Sequence, residues 1–289
     1  MHITVLLESS IDMLAIAPGD VVIDGTFGGG GHSKLFKERH GDSIELVCVD
    51  LDEAARARFD VIFGSQGKVH FVHSNFKDAS HILSATHLNH ADKVLLDLGT
   101  STFQLLSDER GFSFHSETPL QMTFSREGSH TGFTAYDIVN EWAESSIADI
   151  IFGYGEDKAA RKIARIICEA REAGPIKTSK QLGDIILSAM GRRGRTHPAT
   201  QTFQALRIAV NDELGVIKEA LDAWWQVLAP SGRIAVITFH SLEDRIVKRW
   251  MLAQENKRVI TKKPIIPTPE ELQANPRARS AKLRIIEKI

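Results

Sequence analysis

The chain predicts an α/β protein, a doubly wound, Rossmann-like parallel sheet with a helical domain inserted into it. Short β-branched runs alternate with amphipathic stretches as far as Leu98, the strand pattern stops between Leu105 and Pro198, and it returns at Arg233. Strand–helix alternation at this spacing builds parallel sheets whose ligands gather at the carboxyl ends of the strands. The turn after the first strand is the glycine-rich Asp24-Gly25-Thr26-Phe27-Gly28-Gly29-Gly30-Gly31-His32.

Each element follows in order. Val21-Val22-Ile23 is the first strand and a helix begins at Ser33; Ile44 to Val49 is the second strand, ending in Asp50. A helix from Glu53 to Phe63 leads to the third strand, Val69–His73, followed by Ser74-Asn75-Phe76, and Lys93 to Leu98 is the fourth. Asp24, Asp50, Phe76 and Asp97 thus fall at strand ends. In the insertion, Ser107–Arg126 is loop-rich, while Glu156–Arg171 and Thr178–Met190 have helical apolar spacing. Thr202 to Leu228 predicts one long helix, with Trp224 or Trp225 packed in its core face. After the turn at Pro230-Ser231-Gly232, Arg233–Phe239 is the fifth strand. Ser241 with Asp244 predicts a capping-box start for a helix to Met251, and Leu283–Ile286 a last strand. The expected domains are residues 1–104, the inserted 105–198 and the returning 199–289.

With 289 residues, 43% hydrophobic and 25% charged, the chain can bury a full α/β core and one small extra domain. No apolar run approaches the roughly 20 residues that cross a bilayer, and Met1-His2-Ile3-Thr4 does not begin a signal peptide, so a cytoplasmic protein is expected. Cys48 and Cys168 are the two cysteines, too few for a disulfide framework or a zinc cluster, and both are expected to be packing residues. His2, His32 and His197 have no metal-ligand spacing. Charge is unevenly spread: residues 1–157 hold 10 Lys+Arg against 24 Asp+Glu, and residues 158–289 hold 25 against 13. Phosphate contacts dominate nucleic-acid affinity, so the basic part is expected to face a polyanion. Arg192, Arg193 and Arg195 in the connection Gly191–Pro198 are candidate phosphate contacts.

Glycines let the loop backbone take positive φ and approach a ligand, beside the free N–H groups of a helix start. Asp50 lies twenty residues after Gly30, where an acid can accept hydrogen bonds from ribose hydroxyls. A dinucleotide G-x-G-x-x-G fails, because Ser33 or Lys34 stands where its third glycine is required. The acid before the loop, Asp24, instead gives the loop the look of D-x-G-x-G-x-G in S-adenosylmethionine methyltransferases, with Thr26 in the first glycine's place. That cofactor carries no phosphate, so a carboxylate near its cationic end is tolerated. A nicotinamide oxidoreductase and a non-catalytic RNA-binding assembly protein are the competing readings; the failed third glycine weighs against the first, the intact loop with Asp50 against the second.

Several further segments combine with that loop. Val5-Leu6-Leu7, Leu96-Asp97-Leu98-Gly99, Glu109 to Phe114, Tyr154-Gly155-Glu156, His197 to Thr200, Thr202 to Ile208, Phe239-His240-Ser241-Leu242-Glu243-Asp244-Arg245-Ile246-Val247-Lys248 and Asn275 to Ser280 together resemble the bacterial ribosomal small-subunit RNA cytidine N4-methyltransferases. The resemblance runs from the first residues to the last, and the Phe239–Asp244 run is its most specific part. It implies methylation, from S-adenosylmethionine, of the exocyclic N4 of cytidine 1402 of 16S ribosomal RNA in the small-subunit decoding centre. It places cofactor contacts on Gly30, Gly31, His32, Asp50, Phe76, Asp97 and Gln104. The loop reading adds Asp24 and Gly28. Arg277 and Arg279, within the Asn275–Ser280 segment, join the candidate RNA contacts. The chain departs from the family pattern at Phe103, where proline is usual, and at Gln121-Met122-Thr123.

Cytosine N4 is a poor nucleophile because its lone pair is delocalised into the ring. An acceptor for the amino hydrogens favours the pyramidal, nucleophilic amine. Asp97 is the candidate, assisted by the Leu98 carbonyl or Ser101; a cofactor ligand alone is the competing role for Asp97. His240 is either a substrate contact or the residue orienting the helix cap beside it. A sulfonium is already activated, so the chemistry asks for no metal. The sequence is compatible with a monomer or a homodimer.

Overall fold

The computed structural model describes residues 3–64, 67–99, 110–124, 131–192 and 197–289. The chain divides into two compact units, one formed by Met1–Ser101 with Leu214–Ile289, the other by Thr102–Glu213. The strands are β1 Val21–Asp24, β2 Glu45–Asp50, β3 Val69–His73, β4 Ala91–Asp97, β5 Leu228–Thr238, β6 Lys257–Val259 and β7 Lys282–Lys288. The α-helices of the first part are α1 Leu7–Leu14, α2 Gly31–His40, α3 Ala54–Phe63 and α4 Ala79–Ala85. They are followed by α5 Ala135–Glu141, α6 Glu144–Gly155, α7 Ala160–Glu172, α8 Ser179–Met190 and α9 Thr200–Asn211. Then come α10 Glu213–Val227, α11 Ser241–Ala253 and α12 Pro269–Ala274.

In the first unit the seven strands form one sheet in the order β3-β2-β1-β4-β5-β7-β6. The first five strands pair in parallel, as the strand–helix alternation predicts. The last strand is longer than expected and runs antiparallel, inserted between β5 and β6. Successive residues feed opposite faces. Val22, Leu46, Cys48 and Leu95 pack with Ile11, Phe36, Phe59 and Phe63 from α1, α2 and α3. Val21, Ile23, Val47 and Leu96 pack on the other side with Ile82, Leu221, Trp224 and Val247 from α4, α10 and α11. A sheet covered on both faces has no solvent side to make polar, which is why its strands read as continuous apolar runs. The strand order turns back on itself between β1 and β4, the position where doubly wound sheets open a crevice.

The second unit is helical, with its own core of Ile138, Ile147, Ile151, Ile163, Ile167, Leu182, Leu206 and Val210 from α5 to α9. One expected helix is broken and another starts late. The Thr202–Leu228 pattern divides at Asp212, in left-handed conformation at φ 45°. Asn211 fixes the break: its Nδ2 donates to the Met122 and Arg207 carbonyls and its Oδ1 accepts from the Phe124 N–H, at 2.8–2.9 Å. Both halves bury an apolar face, so periodicity alone runs across the break. The boundary expected after Pro198 accordingly moves to Glu213, and α9 belongs to the helical unit. The Glu156–Arg171 helix likewise starts late, because Glu156 at φ 51° ends α6 and Asp157 accepts from the Ala159 N–H at 2.8 Å before α7 begins.

Two local expectations in the sheet unit also change. The turn at Pro230–Gly232 is a bulge inside β5, with Ser231 at φ 63° and the pairing register jumping from Leu228–Ala91 to Arg233–Lys93. The cap of α11 is His240, not Ser241, and its partner is Glu243, not Asp244. Asp244 is drawn instead to β7, where it binds Arg284 at 2.6 Å and Lys282 at 3.2 Å. Among the described residues no helix is long and apolar enough to cross a membrane. Cys48 is buried in β2 and Cys168 lies in α7, both as free thiols.

Candidate active site

The glycine loop is fixed by hydrogen bonds to two neighbouring strands, β2 and β4. Gly25 N–H donates to the Leu95 carbonyl at 2.9 Å and Phe27 N–H to the Val49 carbonyl at 2.8 Å. The Thr26 hydroxyl accepts from the Asp97 N–H at 2.7 Å. Gly28 N–H donates to Asp50 Oδ2 at 2.7 Å, and the Gly28 carbonyl accepts from Arg58 Nε at 2.8 Å. Gly30, at φ 77°, caps α2, and a Cβ there would press on Phe27 and Ile62. A Cβ on Gly31 would run into the Thr4 side chain. These two glycines are therefore required by the protein's own packing. His32 is buried in the first turn of α2, and the Phe76 carbonyl after β3 accepts from the Trp224 indole at 2.7 Å.

Three carboxyls stand at the ends of β1, β2 and β4. Asp24 is buried, with Oδ2 accepting from the Ser33 hydroxyl at 2.6 Å and Oδ1 from the Thr26 N–H at 3.3 Å. Both oxygens are turned into the loop, so Asp24 braces it from within. Asp50 accepts the Gly28 N–H on one oxygen and the Asp52 N–H on the other, and each oxygen retains a lone pair for a further donor. Asp97 accepts the Gly99 N–H at 3.2 Å, and Gly99 lies so close under the Phe239 ring that a Cβ would not fit.

Desolvation sets the electrostatics. Burial pushes the Asp97 carboxyl up to about 7, opposed by the Gly99 N–H and reinforced by the charges of Asp24 and Glu243. Burial pushes Asp24 up to about 6 despite the Ser33 and Thr26 hydrogen bonds. Asp50 is also raised by burial, against its two backbone N–H donors. Clustered, poorly solvated negative charge at a topological switch point fits a cationic ligand, whose charge would relieve the repulsion. A sulfonium cofactor with a ribose matches this donor set: carboxyls beside the crevice and a carboxylate with spare lone pairs at the next strand end.

His240 lies at the end of β5 as expected. Its Nδ1 accepts from the Glu243 N–H at 3.4 Å, and its Nε2 lies 3.0 Å from Glu243 Oε1. Glu243 is itself buried and accepts from the Phe239 and His240 N–H groups at 2.7 and 3.2 Å. The cap-orienting role thus has direct geometry. Ser101 and Gln104 lie outside the described residues, as do Phe103, Arg193 and Arg195. Arg192 is exposed in the helical unit, and Arg277 and Arg279 are exposed in the sheet unit, flanking buried Ala278 on a single turn. The departure at Gln121–Thr123 is a packing feature: Met122 is buried at φ 59° and its N–H bonds the Arg110 carbonyl at 2.7 Å.

Sequence reasoning missed Thr26, Ser33 and Glu243. Thr26 was visible only as a failed glycine, yet its hydroxyl joins β1 to β4. Glu243 carried a readable signal, since it stands three residues after His240 as a capping-box acid does.

The chain as a whole is similar to known proteins. The chain is 45% identical over 288 residues to the ribosomal RNA small subunit methyltransferase H of Deinococcus radiodurans, covering 99% of this chain and 89% of that one. It is 44% identical to the protein of that name from Brevibacillus brevis, covering 100% and 98%, and 42% identical to that from a Paenibacillus species, covering 100% and 99%. The sequence pattern of the MraW methylase family matches residues 1–289. The chain that carries this glycine loop, braced by Asp24 and tied to Asp97, therefore belongs, over its whole length, to the MraW methylase family.

Proposed function

We propose that the protein transfers a methyl group from S-adenosylmethionine to the exocyclic N4 of a cytidine, position 1402, in the 16S ribosomal RNA of the small subunit. One observation carries the catalytic half of this reading: the buried Asp97 carboxyl at the β1–β4 switch point, pushed up to about 7. The names of the full-length relatives support small-subunit ribosomal RNA as the substrate class.

When bound, S-adenosylmethionine supplies a methyl group already activated on a sulfonium. The chain's task is to hold the two reactants in line and to manage one proton. Asp50 offers its remaining lone pairs to the ribose hydroxyls, and the Gly28–Gly31 backbone lets the ligand approach. The Phe76 ring, partly buried beside the Trp224-anchored backbone, flanks that region. Asp97, ionised next to a cation, accepts a hydrogen bond from N4 and draws its lone pair out of conjugation, and it takes up the proton that N4 loses on methylation. Asp24 holds the loop and adds negative charge. His240 and Glu243 hold the start of α11 and so the Phe239 ring over Gly99. The exposed arginines Arg192, Arg277 and Arg279 supply phosphate contacts.

The test is incubation of the purified protein with labelled S-adenosylmethionine and unmodified small ribosomal subunits, followed by nucleoside mass spectrometry. N4-methylcytidine at position 1402 is expected. Label on a carbon, on another base, or on no RNA overturns the reading.

A further inference from the structure

We propose that the outer face of α11 is an additional contact surface for the RNA, gripping phosphates of the strand that delivers the target base. This rests on the RNA-methyltransferase reading above. The helix Ser241–Ala253 buries Leu242, Val247 and Met251 against the sheet and exposes Arg245, Lys248 and Arg249. Residues spaced by three and four share one helix face, so these three cations form a stripe.

Self-solvating helix faces usually mix both signs, with an acid one turn from each base. Here the two acids of α11 are committed inward. Glu243 is buried on the Phe239 and His240 N–H groups. Asp244 is held by Arg284 and Lys282, whose hydrogen bonds and charge outweigh the upward push of burial and keep its carboxyl low. Among the described residues neither Lys248 nor Arg249 makes an ion pair, and within the helix the outward charge is wholly positive.

The stripe also starts at the right place. Phe239 packs on Gly99, whose N–H donates to Asp97, and the next residue, His240, caps α11, so the helix N-terminus adjoins Asp97. At about 1.5 Å per residue, Arg245 stands roughly 7–8 Å along the axis from His240 and Arg249 about 13–14 Å. That span covers neighbouring phosphates on a strand whose base occupies the site. A base reached by an enzyme at its exocyclic amine is unpaired or turned out of its stack, which leaves its flanking phosphates to be held by just such cations.

The measurement is binding of the full-length protein to unmodified small subunits across a salt series, with the doubly neutralised variant Lys248→Gln, Arg249→Gln beside wild type. Both positions are exposed and glutamine is a good helix former, so the fold is kept, checked by an unchanged thermal midpoint. Loss of two phosphate contacts should flatten the slope of log affinity against log salt by about 1.4, at roughly 0.7 per contact on a single strand. The KM for subunits should rise, kcat should hold, and S-adenosylmethionine affinity should not move. The charge-keeping swap Lys248→Arg, Arg249→Lys should restore the slope. A wild-type slope and KM in the neutralised variant overturn the inference while leaving the methyltransferase reading intact; absence of subunit binding by wild type overturns that reading itself.

Discussion

The Thr26 hydroxyl accepts the Asp97 backbone N–H at 2.7 Å, joining the glycine loop after β1 to the end of β4 across the point where the strand order reverses. The bond fixes Asp97, the proposed acceptor, and the glycine loop relative to each other, so a loss on one side is felt on the other.

Thr26→Val keeps the shape and removes the acceptor. The Asp97 N–H is left unsatisfied, which costs about 1–3 kcal/mol. A lower urea midpoint with weaker S-adenosylmethionine binding in calorimetry is expected, and Thr26→Ser should recover both. Equal behaviour of Val and Ser variants would remove the hydroxyl from the account.

Asp50→Ala and Gly30→Val separate binding from packing. Asp50→Ala should weaken S-adenosylmethionine by roughly ten- to a hundredfold, given about 1.5–3 kcal/mol for a hydrogen bond to a charged group. Gly30→Val should instead destabilise the ligand-free protein, because its Cβ meets Phe27 and Ile62 and its φ is 77°. Thermal unfolding without ligand distinguishes them; a wild-type midpoint for Gly30→Val would show the loop repacking.

Asp97→Asn should reduce the single-turnover methylation rate far more than S-adenosylmethionine affinity, because a hydrogen bond made mainly in the transition state is weakened. In wild type, activity referred to the free enzyme should rise with pH through about 7, where the Asp97 carboxyl ionises. That limb should be missing in the variant. Equal losses of rate and affinity would make Asp97 a cofactor ligand only.

The same substitution should stabilise the ligand-free protein. A carboxyl raised from 3.8 to about 7 by folding stabilises the native state most below its unfolded value, and that contribution is lost as pH climbs through about 7. Asp97→Asn should therefore gain on wild type between about pH 4 and pH 8, by an amount on the order of 1–4 kcal/mol at about 1.4 kcal/mol per pKa unit. Denaturant titrations at the two pH values test this, and a pH-independent difference would mean that the carboxyl is not desolvated.

Asn211→Leu should destabilise the helical unit by about 2–4 kcal/mol, since it strips the Phe124 N–H and the Met122 and Arg207 carbonyls of their partner in one step. Hydrogen exchange should show the loss at residues 121–124 and along α9, with the β1–β5 amides unaffected.

What the sequence determined by itself is what local chemistry encodes. β-branched runs ending in Asp24, Asp50 and Asp97 located the strands and their carboxyl ends, and the glycines marked the tight turn from β1 into α2, because strand period and glycine permissiveness are properties of neighbouring residues. Tertiary structure decided the rest. Helical periodicity across Asp212 could not reveal a break, since each half buries its apolar face and the hydrogen bonds that enforce the turn come from Met122 and Phe124, distant in sequence. Ser241 and Asp244 read as a cap until Arg284 and Lys282 on β7 claimed Asp244, leaving His240 and Glu243 to close the helix. The antiparallel placement of β7 and the desolvation that moves Asp97 to about 7 likewise depend on which segments meet, a matter of packing that no local pattern of residues records.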